Sequence, residues 1–197
     1  MSKWTGKLLL LWGAWMMVAG AASGQSSRGS ESASTSIDAA LTFNASYNNN
    51  VPGDTFWMQG GNAQVHTQLW RGLGAVVDVG GLHNANVNNS GVGLDIVTVA
   101  FGPRYTWGPR YGRYSFFGQV LGGEAFGVNS VFPMPAGTDS SAESSALILG
   151  GGVTIRVSRR FSVRALEAEW QRTQLPNATT GVQNSLRLGA GVIFRIR

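Results

Sequence analysis

The chain has 197 residues, no cysteine and a formal net charge of +5, and only 13% of its residues are charged. The absence of cysteine excludes a fold held together by disulfides, and the sparse, dispersed arginines argue against a nucleic-acid-binding protein. Glycine is frequent, with 28 residues, roughly double the usual share, and beyond the N-terminal region no apolar run is long enough to predict a spanning helix.

The N-terminal segment has the pattern of a secretory signal peptide. Lys3 and Lys7 form a positive start, an apolar run follows, and small residues up to Gly24 offer a cleavage site. Because the run is short for a spanning helix of about 20 residues, we interpret residues 1–24 as a cleaved signal peptide rather than as an uncleaved membrane anchor. We therefore expect export, with a mature chain that begins at Gln25. Cleavage would remove both lysines and lower the formal net charge from +5 to +3.

Residues 25–36 are polar and serine-rich and have no periodicity, so we interpret them as a flexible periplasmic tail. From Ile37 onward, apolar and polar residues alternate with a period of two, which predicts β-strands with two different faces. We therefore expect one all-β domain over residues 37–197. The eight predicted strands lie at residues 41–47, 63–69, 73–80, 97–105, 114–127, 147–157, 161–173 and 185–197.

The connections between these strands alternate in length. The short ones are residues 71–72, 107–113 and 158–160, and the long polar ones are residues 48–61, 83–93, 128–143 and 174–183. Short turns at one end and long loops at the other are typical of outer-membrane barrels. A soluble β-sandwich or lipocalin-like barrel is the alternative. We favour the membrane barrel, because the many Gly, Ala, Thr and Asn residues of the polar face suit a narrow interior better than a soluble exterior.

Aromatic residues cluster around the near-repeat of FGPRY at 101–105 and WGPRY at 107–111. Aromatic side chains form girdles at both interfaces of a membrane barrel. We interpret this cluster as a girdle at the periplasmic interface, and ordinary strand composition is the alternative. The predicted girdle comprises Phe101, Tyr105, Trp107, Tyr111, Tyr114, Phe116 and Phe117.

Nearly every charged residue within a predicted strand falls on the face opposite the aliphatic stripe. The predicted interior charge network comprises Asp78, Arg104, Arg156, Glu167, Glu169, Arg187 and Arg195. In a narrow interior these charges must pair, because an unpaired buried charge costs several kcal/mol. We expect Arg156 and Glu167, on strands joined by the 158–160 turn, to be in contact. Such a network would have a structural role and close the interior, whereas a polar pore or gate is the alternative.

His66 and His83 are the only histidines. His66 is predicted to face inward, whereas His83 lies near the external end of the third strand, where a lipid-modifying enzyme would need it. Such a site also needs a serine and a carboxylate within hydrogen-bond reach, and no serine lies two residues from either histidine. We therefore predict no catalytic residues and no cofactor. Without cysteine or a close histidine pair, we also predict no metal site.

The chain resembles the small, eight-stranded outer-membrane β-barrel proteins of bacteria, such as the transmembrane domain of outer membrane protein A and the short barrels of acidobacterial genomes. The resemblance covers residues 37–197. Its matching segments are FGPRYTW (101–107), SRRFSVRALEAEWQRTQLPN (158–177) and QNSLRLGAGVIFRIR (183–197). It implies an eight-stranded antiparallel up-and-down transmembrane β-barrel, preceded by a cleavable signal peptide and located in the outer membrane. It specifies no activity.

The resemblance also implies partners. They are outer-membrane lipids and lipopolysaccharide, the barrel-assembly machinery during biogenesis, and an unidentified ligand of the external loops, with the barrel itself a monomer. Such barrels usually end in an aromatic residue that the machinery recognises. Here the last aromatic is Phe194 and the sequence continues to Arg197, so this signal is either shifted inward or weakened.

Three functions remain open at this point. The first is a structural or surface-interaction role through the external loops. The second is a small-solute channel, which would need a continuous polar lumen, and the third is a lipid-modifying enzyme. We favour the first, because the interior of an eight-stranded barrel is normally filled by side chains.

Overall fold

The computed structural model describes residues 36–49, 55–108, 112–135, 137–177 and 180–196. They form the strands β1 (Ile37–Asn48), β2 (Phe56–Trp70), β3 (Leu73–Asn84), β4 (Leu94–Trp107), β5 (Tyr114–Met134), β6 (Gly137–Arg156), β7 (Phe161–Thr173) and β8 (Gln183–Arg195). A short 3-10 turn, Val87–Asn89, lies between β3 and β4. Nowhere in these ranges is there a helix with the length and apolar character needed to span a bilayer. The predicted signal peptide lies outside them, as does the predicted tail apart from Ser36.

The eight strands form one closed antiparallel barrel in sequence order, because β1 pairs with β8 as well as with β2. This confirms the predicted fold class. The pairing is staggered. A path that starts at Ile37 and passes from each residue to its partner on the next strand returns to β1 at Tyr47 instead of at Ile37. Such a stagger requires the strands to tilt against the barrel axis.

The two faces of the strands have the polarity of a membrane barrel. Large apolar side chains point outward, so that Phe43 is 65% exposed and Val192 is 43% exposed, while Asn44 is only 1% exposed. A soluble barrel has the opposite arrangement, because its apolar side chains fill the core. The exterior of this barrel therefore suits lipid, and its interior is largely polar.

The two ends of the barrel differ. We call the end that carries the three short connections, β2–β3, β4–β5 and β6–β7, the turn end, and the opposite end the loop end. The start of β1 and the end of β8 also lie at the turn end. At the loop end, the prediction of a long loop over 128–143 is wrong. Residues there continue the β5–β6 hairpin, which pairs as far as Met134 and Gly137, so these strands reach 21 and 20 residues.

The hairpin was missed because its sequence does not show the lipid-facing alternation. At this end of β6 both faces of the strand are exposed, so polar residues such as Thr138 and Asp139 are tolerated at successive positions. A register shift between Val128 and Phe132 interrupts the pattern further. The alternation of apolar and polar residues therefore ends where the apolar surroundings end, whereas the hydrogen-bonded pairing of β5 with β6 continues beyond that point.

Candidate functional site

The most distinctive site of the described barrel is a group of charged side chains buried in its interior. We call it the charge network. It consists of three arginines and three carboxylates, each at most 5% exposed, so its formal charges balance. Its members are Asp78, Arg104, Arg164, Glu167, Glu169 and Arg187.

Two direct ion pairs form the centre of the charge network. Nη1 of Arg164 lies 2.9 Å and 3.0 Å from the two carboxylate oxygens of Glu167. Arg187 donates through Nε to Glu169 at 3.0 Å and also through Nη2 to the same oxygen. Both pairs are almost completely buried. Pairs in such an environment are costly to break, because the remaining partner becomes an uncompensated buried charge.

Two glutamines connect these pairs across the lumen. Gln64 donates to Asp78 at 2.8 Å and to Glu167 at 3.3 Å, and its carbonyl oxygen accepts from Arg164 at 2.8 Å. The Gln64 carbonyl oxygen also accepts from Arg104. An amide side chain has both donors and an acceptor, so it can bridge cations and anions in one network.

Gln119 makes the second bridge. Its carbonyl oxygen accepts from Nε of Arg104 at 2.8 Å, and its amide donates to Glu169 at 2.6 Å. The hydrogen bonds therefore run continuously from β2 through β4 and β5 to β7 and β8. Side chains from opposite walls of the barrel meet in the middle, which leaves the lumen filled at this level.

Phe117 belongs to this interior layer, so its assignment to the aromatic girdle is wrong. Its side chain is buried, and its ring lies 4.4 Å from the guanidinium carbon of Arg104 and 5.0 Å from that of Arg164. These are cation–π distances. The two consecutive phenylalanines of β5 face opposite ways, and Phe116 is the one that faces outward.

Four other predicted girdle members, Tyr105, Trp107, Tyr114 and Phe116, do face outward at or near the turn end, and each is at least 40% exposed. Phe101 also faces outward but lies in the middle of β4, opposite Val77. The rings of Tyr105 and Trp107 pack edge to face with centroids 4.8 Å apart. Tyr111 lies outside the described residues.

Arg164 is the member of the charge network that the sequence analysis missed. A register shift in β7 places one extra residue between Arg164, which is opposite Gly191, and Glu167, which is opposite Gly189. Because of this bulge, Arg164 and Glu167 face the same way despite their odd spacing, and Ala165 and Leu166 are both exposed. A signal was available, since an arginine on the lipid face of a barrel costs about 2–4 kcal/mol near the midplane.

Two predicted network members lie elsewhere. Arg156 is at the turn end of β6, opposite Ser162, whereas Glu167 is opposite Gly152. The expected pairing of Arg156 with Glu167 is therefore replaced by the pair of Arg164 and Glu167. Counting outward from the 158–160 turn already separates the two residues, because Arg156 lies two residues before the turn and Glu167 lies seven residues after it. The β7 bulge changes their register by only one residue.

Arg195 is the second predicted network member that lies outside the charge network. It lies at the turn end and donates to Asp38 at 3.1 Å in a partly exposed pair. The other predicted members, Asp78, Arg104, Glu167, Glu169 and Arg187, are placed in the interior.

Glycines make room for the charge network. A β-carbon at Gly150 would lie 2.5 Å from Cγ of Glu169, and one at Gly189 would lie 2.1 Å from the side-chain oxygen of Asn44. Both distances are too short for a real contact. Glycine at these two positions therefore has a local cause, because the side chains of Glu169 and Asn44 fit this narrow interior only where the neighbouring strand has no side chain.

A second, apolar layer fills the barrel at the loop end. We call it the apolar plug. Phe56, Met58 and Phe132 are each at most 5% exposed, and Leu175 reaches this layer from the β7–β8 connection. The remaining buried members are Leu82, Val87, Leu94, Ile96, Ala125, Ala142 and Ala146. The periodicity of the sequence does not predict this layer, because several of its residues fall in segments interpreted as loops.

The two histidines are far apart in the barrel. His66 is buried in the interior, with Nδ1 3.9 Å from Asp38. His83 is on the outer face at the loop end, where Nδ1 contacts Asp95, and Asp95 also accepts from Asn129. No serine or threonine hydroxyl among the described residues is within hydrogen-bond distance of His83. The described ranges also contain no group of three His, Cys, Asp or Glu side chains that could hold a metal ion.

Comparison with known proteins identifies the fold. No protein-family model and no curated protein matches the sequence. The chain is similar in structure to Neisserial surface protein A, with a TM-score of 0.62, 12% identity, and coverage of 80% of this chain and 96% of that one. It is also similar to Ail, the attachment invasion locus protein of Yersinia pestis, in complex with the heparin analogue sucrose octasulfate. That match has a TM-score of 0.54, 14% identity, and coverage of 82% and 99%. The fold is that of the eight-stranded outer-membrane β-barrels, as the resemblance in sequence implied.

Proposed function

We propose that this protein is an exported outer-membrane β-barrel with a closed interior, which acts structurally or by surface interaction through its loop end. In this proposal the signal peptide is cleaved near Gly24 and Gln25, the turn end faces the periplasm, and the loop end faces outward. The exposed apolar stripe and the aromatic girdle support contact with outer-membrane lipids. Assembly by the barrel-assembly machinery and a monomeric state are part of the same proposal.

The observation that carries the proposal is that side chains fill the lumen at two levels. The charge network joins opposite walls within the barrel, and the apolar plug fills the barrel at the loop end. A solute channel needs a continuous polar path, and an apolar layer interrupts such a path because ions and polar solutes would lose their hydration there. This favours a closed barrel over the porin-like alternative.

A lipid-modifying enzyme also has less support. The pair of His83 and Asp95 is exposed at the loop end, but nucleophilic catalysis requires a nucleophile in contact with the base. The described part of the chain places no hydroxyl at that position. We therefore propose a non-enzymatic protein.

The charges of the loop end indicate what kind of surface it could contact. Ail was solved in complex with a heparin analogue, which is a polyanion. At the described loop end of this chain, the carboxylates of Asp95, Glu124, Asp139 and Glu143 outnumber the one guanidinium, of Arg172. Like charges repel across an interface, so we propose a neutral or cationic partner for this surface rather than a polyanion.

The proposal can be tested with the purified protein. It should fractionate with outer membranes and migrate differently on gels before and after heating, as folded membrane barrels do. In planar bilayers it should show no steady conductance. A large and stable conductance would overturn the closed interior, whereas recovery of the protein in the soluble fraction would overturn the membrane assignment.

A further inference from the structure

The two ends of the barrel carry opposite charge. At the turn end, the described charged residues are six arginines and one carboxylate, that of Asp38. Asp38 already pairs with Arg195. Four other arginines are exposed on the tight turns, and none of them takes part in an ion pair of the described residues. We call these four, Arg71, Arg113, Arg159 and Arg160, the arginine collar.

The collar surrounds the barrel because its members occupy all three turns. Arg71 lies in the β2–β3 turn, Arg113 precedes β5, and Arg159 and Arg160 lie between β6 and β7. The backbone fixes these positions: the carbonyl of Arg113 accepts from the amide of Arg156 at 2.7 Å, and that of Arg160 accepts from the amide of Arg195 at 2.8 Å. The four side chains therefore project from the same end of the barrel.

Aromatic side chains mark where this end lies relative to a bilayer. Trp70 and Tyr114 are 61% and 57% exposed and are adjacent in sequence to Arg71 and Arg113. Trp107, which is 52% exposed, is opposite Phe116 at the same end of the barrel. The guanidinium carbon of Arg71 is 5.3 Å from the centre of the Trp70 ring. Exposed tryptophan and tyrosine side chains lie at the headgroup region of a membrane, and arginines beside them extend toward the phosphates.

We propose that the arginine collar binds the headgroups of anionic phospholipids in the leaflet at the turn end. This inference rests on the proposed function, since it requires the barrel to span a bilayer. A planar guanidinium can bind a phosphate with two parallel hydrogen bonds. The excess of carboxylates at the loop end makes the preference specific to one leaflet, because the described residues of that end include a single guanidinium, that of Arg172, for direct contact with lipid phosphate.

Tryptophan fluorescence can measure the lipid preference at each end of the barrel. The processed chain contains Trp57 at the loop end, Trp70 and Trp107 at the turn end, and Trp170 in β7. Variants that keep only Trp70 or only Trp57, with phenylalanine at the other positions, are folded into vesicles. The vesicles contain phosphatidylglycerol and phosphatidylcholine, and in each of two otherwise identical samples one of these lipids carries bromine on its acyl chains near the headgroup. Bromine quenches a nearby tryptophan, so comparing the two samples shows which lipid is enriched beside it.

We expect Trp70 to report a preference for phosphatidylglycerol of about fivefold, which corresponds to about 1 kcal/mol for one arginine near a membrane surface. Trp57 should report no preference. Substitution of the four collar arginines by glutamine should abolish the preference at Trp70, and substitution by lysine should retain most of it. Soluble glycerol phosphate at millimolar concentration should not remove it, because the site binds a lipid surface rather than a free phosphate.

The outcomes separate this inference from the proposed function. If neither lipid quenches either tryptophan, the barrel does not span the bilayer and the proposed function fails. If both lipids quench Trp70 equally, or if the glutamine variant keeps the preference, the collar proposal alone fails. Mass spectrometry of the phospholipids that copurify with the tryptophan-intact protein repeats the comparison without tryptophan substitutions. The collar variant should then retain several-fold less phosphatidylglycerol than the parent protein, and equal amounts would refute the inference.

Discussion

The pairing of Arg164 with Glu167 makes a quantitative prediction about the charge network. Both side chains are 1% exposed, so Glu167→Ala leaves a guanidinium in a poorly solvated interior. Removing one partner of a buried pair typically costs about 3–5 kcal/mol. Here Gln64 and Phe117 still contact Arg164, so we expect a loss near the lower end, about 3 kcal/mol. Arg164→Ala should cost a similar amount, because it leaves the carboxylate with Gln64 as its remaining hydrogen-bond donor.

A double-mutant cycle separates the pair from the packing around it. If the two groups interact directly, the double variant should cost less than the sum of the single variants, with a coupling of about 0.5–3 kcal/mol. The free energy of unfolding can be measured in vesicles by urea titration, with tryptophan fluorescence as the signal. A cycle of Arg156 with Glu167 is the matched control and should show almost no coupling, since the register separates these residues. Strong coupling in the control together with none in the Arg164 cycle would refute the described register of β7.

Three further predictions test other parts of the proposal. Val192→Arg, on the outward face, should destabilise the barrel by about 2–4 kcal/mol in vesicles, and an unchanged unfolding free energy would contradict the assignment of a lipid face. Gly150→Ala should destabilise it measurably, because the new methyl group would lie 2.5 Å from Cγ of Glu169 and overpacking costs about 1–3 kcal/mol; a stabilised variant in the same titration would argue against tight packing. N-terminal sequencing of protein extracted from membranes should begin near Gln25, and an intact Met1 would refute cleavage.

The fold could be predicted because it depends on a property that sequence shows directly. A transmembrane strand faces lipid on one side and a narrow lumen on the other, so its residues alternate, as Leu186, Leu188 and Val192 do on the exposed face of β8. The alternation also identified buried charges such as Asp78 and Arg187. Each of these inferences needs only the odd or even position of a residue along an unbroken strand.

Most of the errors occur where a bulge interrupts the alternation of a strand or where the strand leaves the apolar surroundings. A single extra residue in β7 reverses the face of Arg164 relative to Glu167, and the only trace of the bulge in the alternation is that it places Arg164 on the lipid-facing side. The assignment of both Phe116 and Phe117 to the girdle overlooked the alternation itself, because consecutive residues of β5 face opposite sides. The apolar plug gathers Phe56, Phe132 and Leu175 from distant segments. Its existence depends on tertiary contacts, so composition alone could not predict it.

The two filled layers of the lumen make a final prediction, since they are barriers in series. Ions must pass both layers, so the less permeable one limits the current whatever happens to the other. Replacement of Arg164 and Glu167 by alanine should therefore leave the barrel closed, because the apolar plug still excludes hydrated ions. Replacement of Met58 and Phe132 by alanine should also leave it closed, because the charge network still joins opposite walls of the barrel.

Only the combined variant should conduct in planar bilayers, and its conductance should exceed the sum of those of the two partial variants. Heat-modifiable migration provides the control that each variant has folded. If the variant that lacks only Arg164 and Glu167 conducts as well as the combined variant, the apolar plug is not a seal, and closure depends on the charge network alone. If instead the variant with alanine at Met58 and Phe132 conducts as strongly as the combined variant, the charge network is permeable to ions and the apolar plug alone closes the barrel.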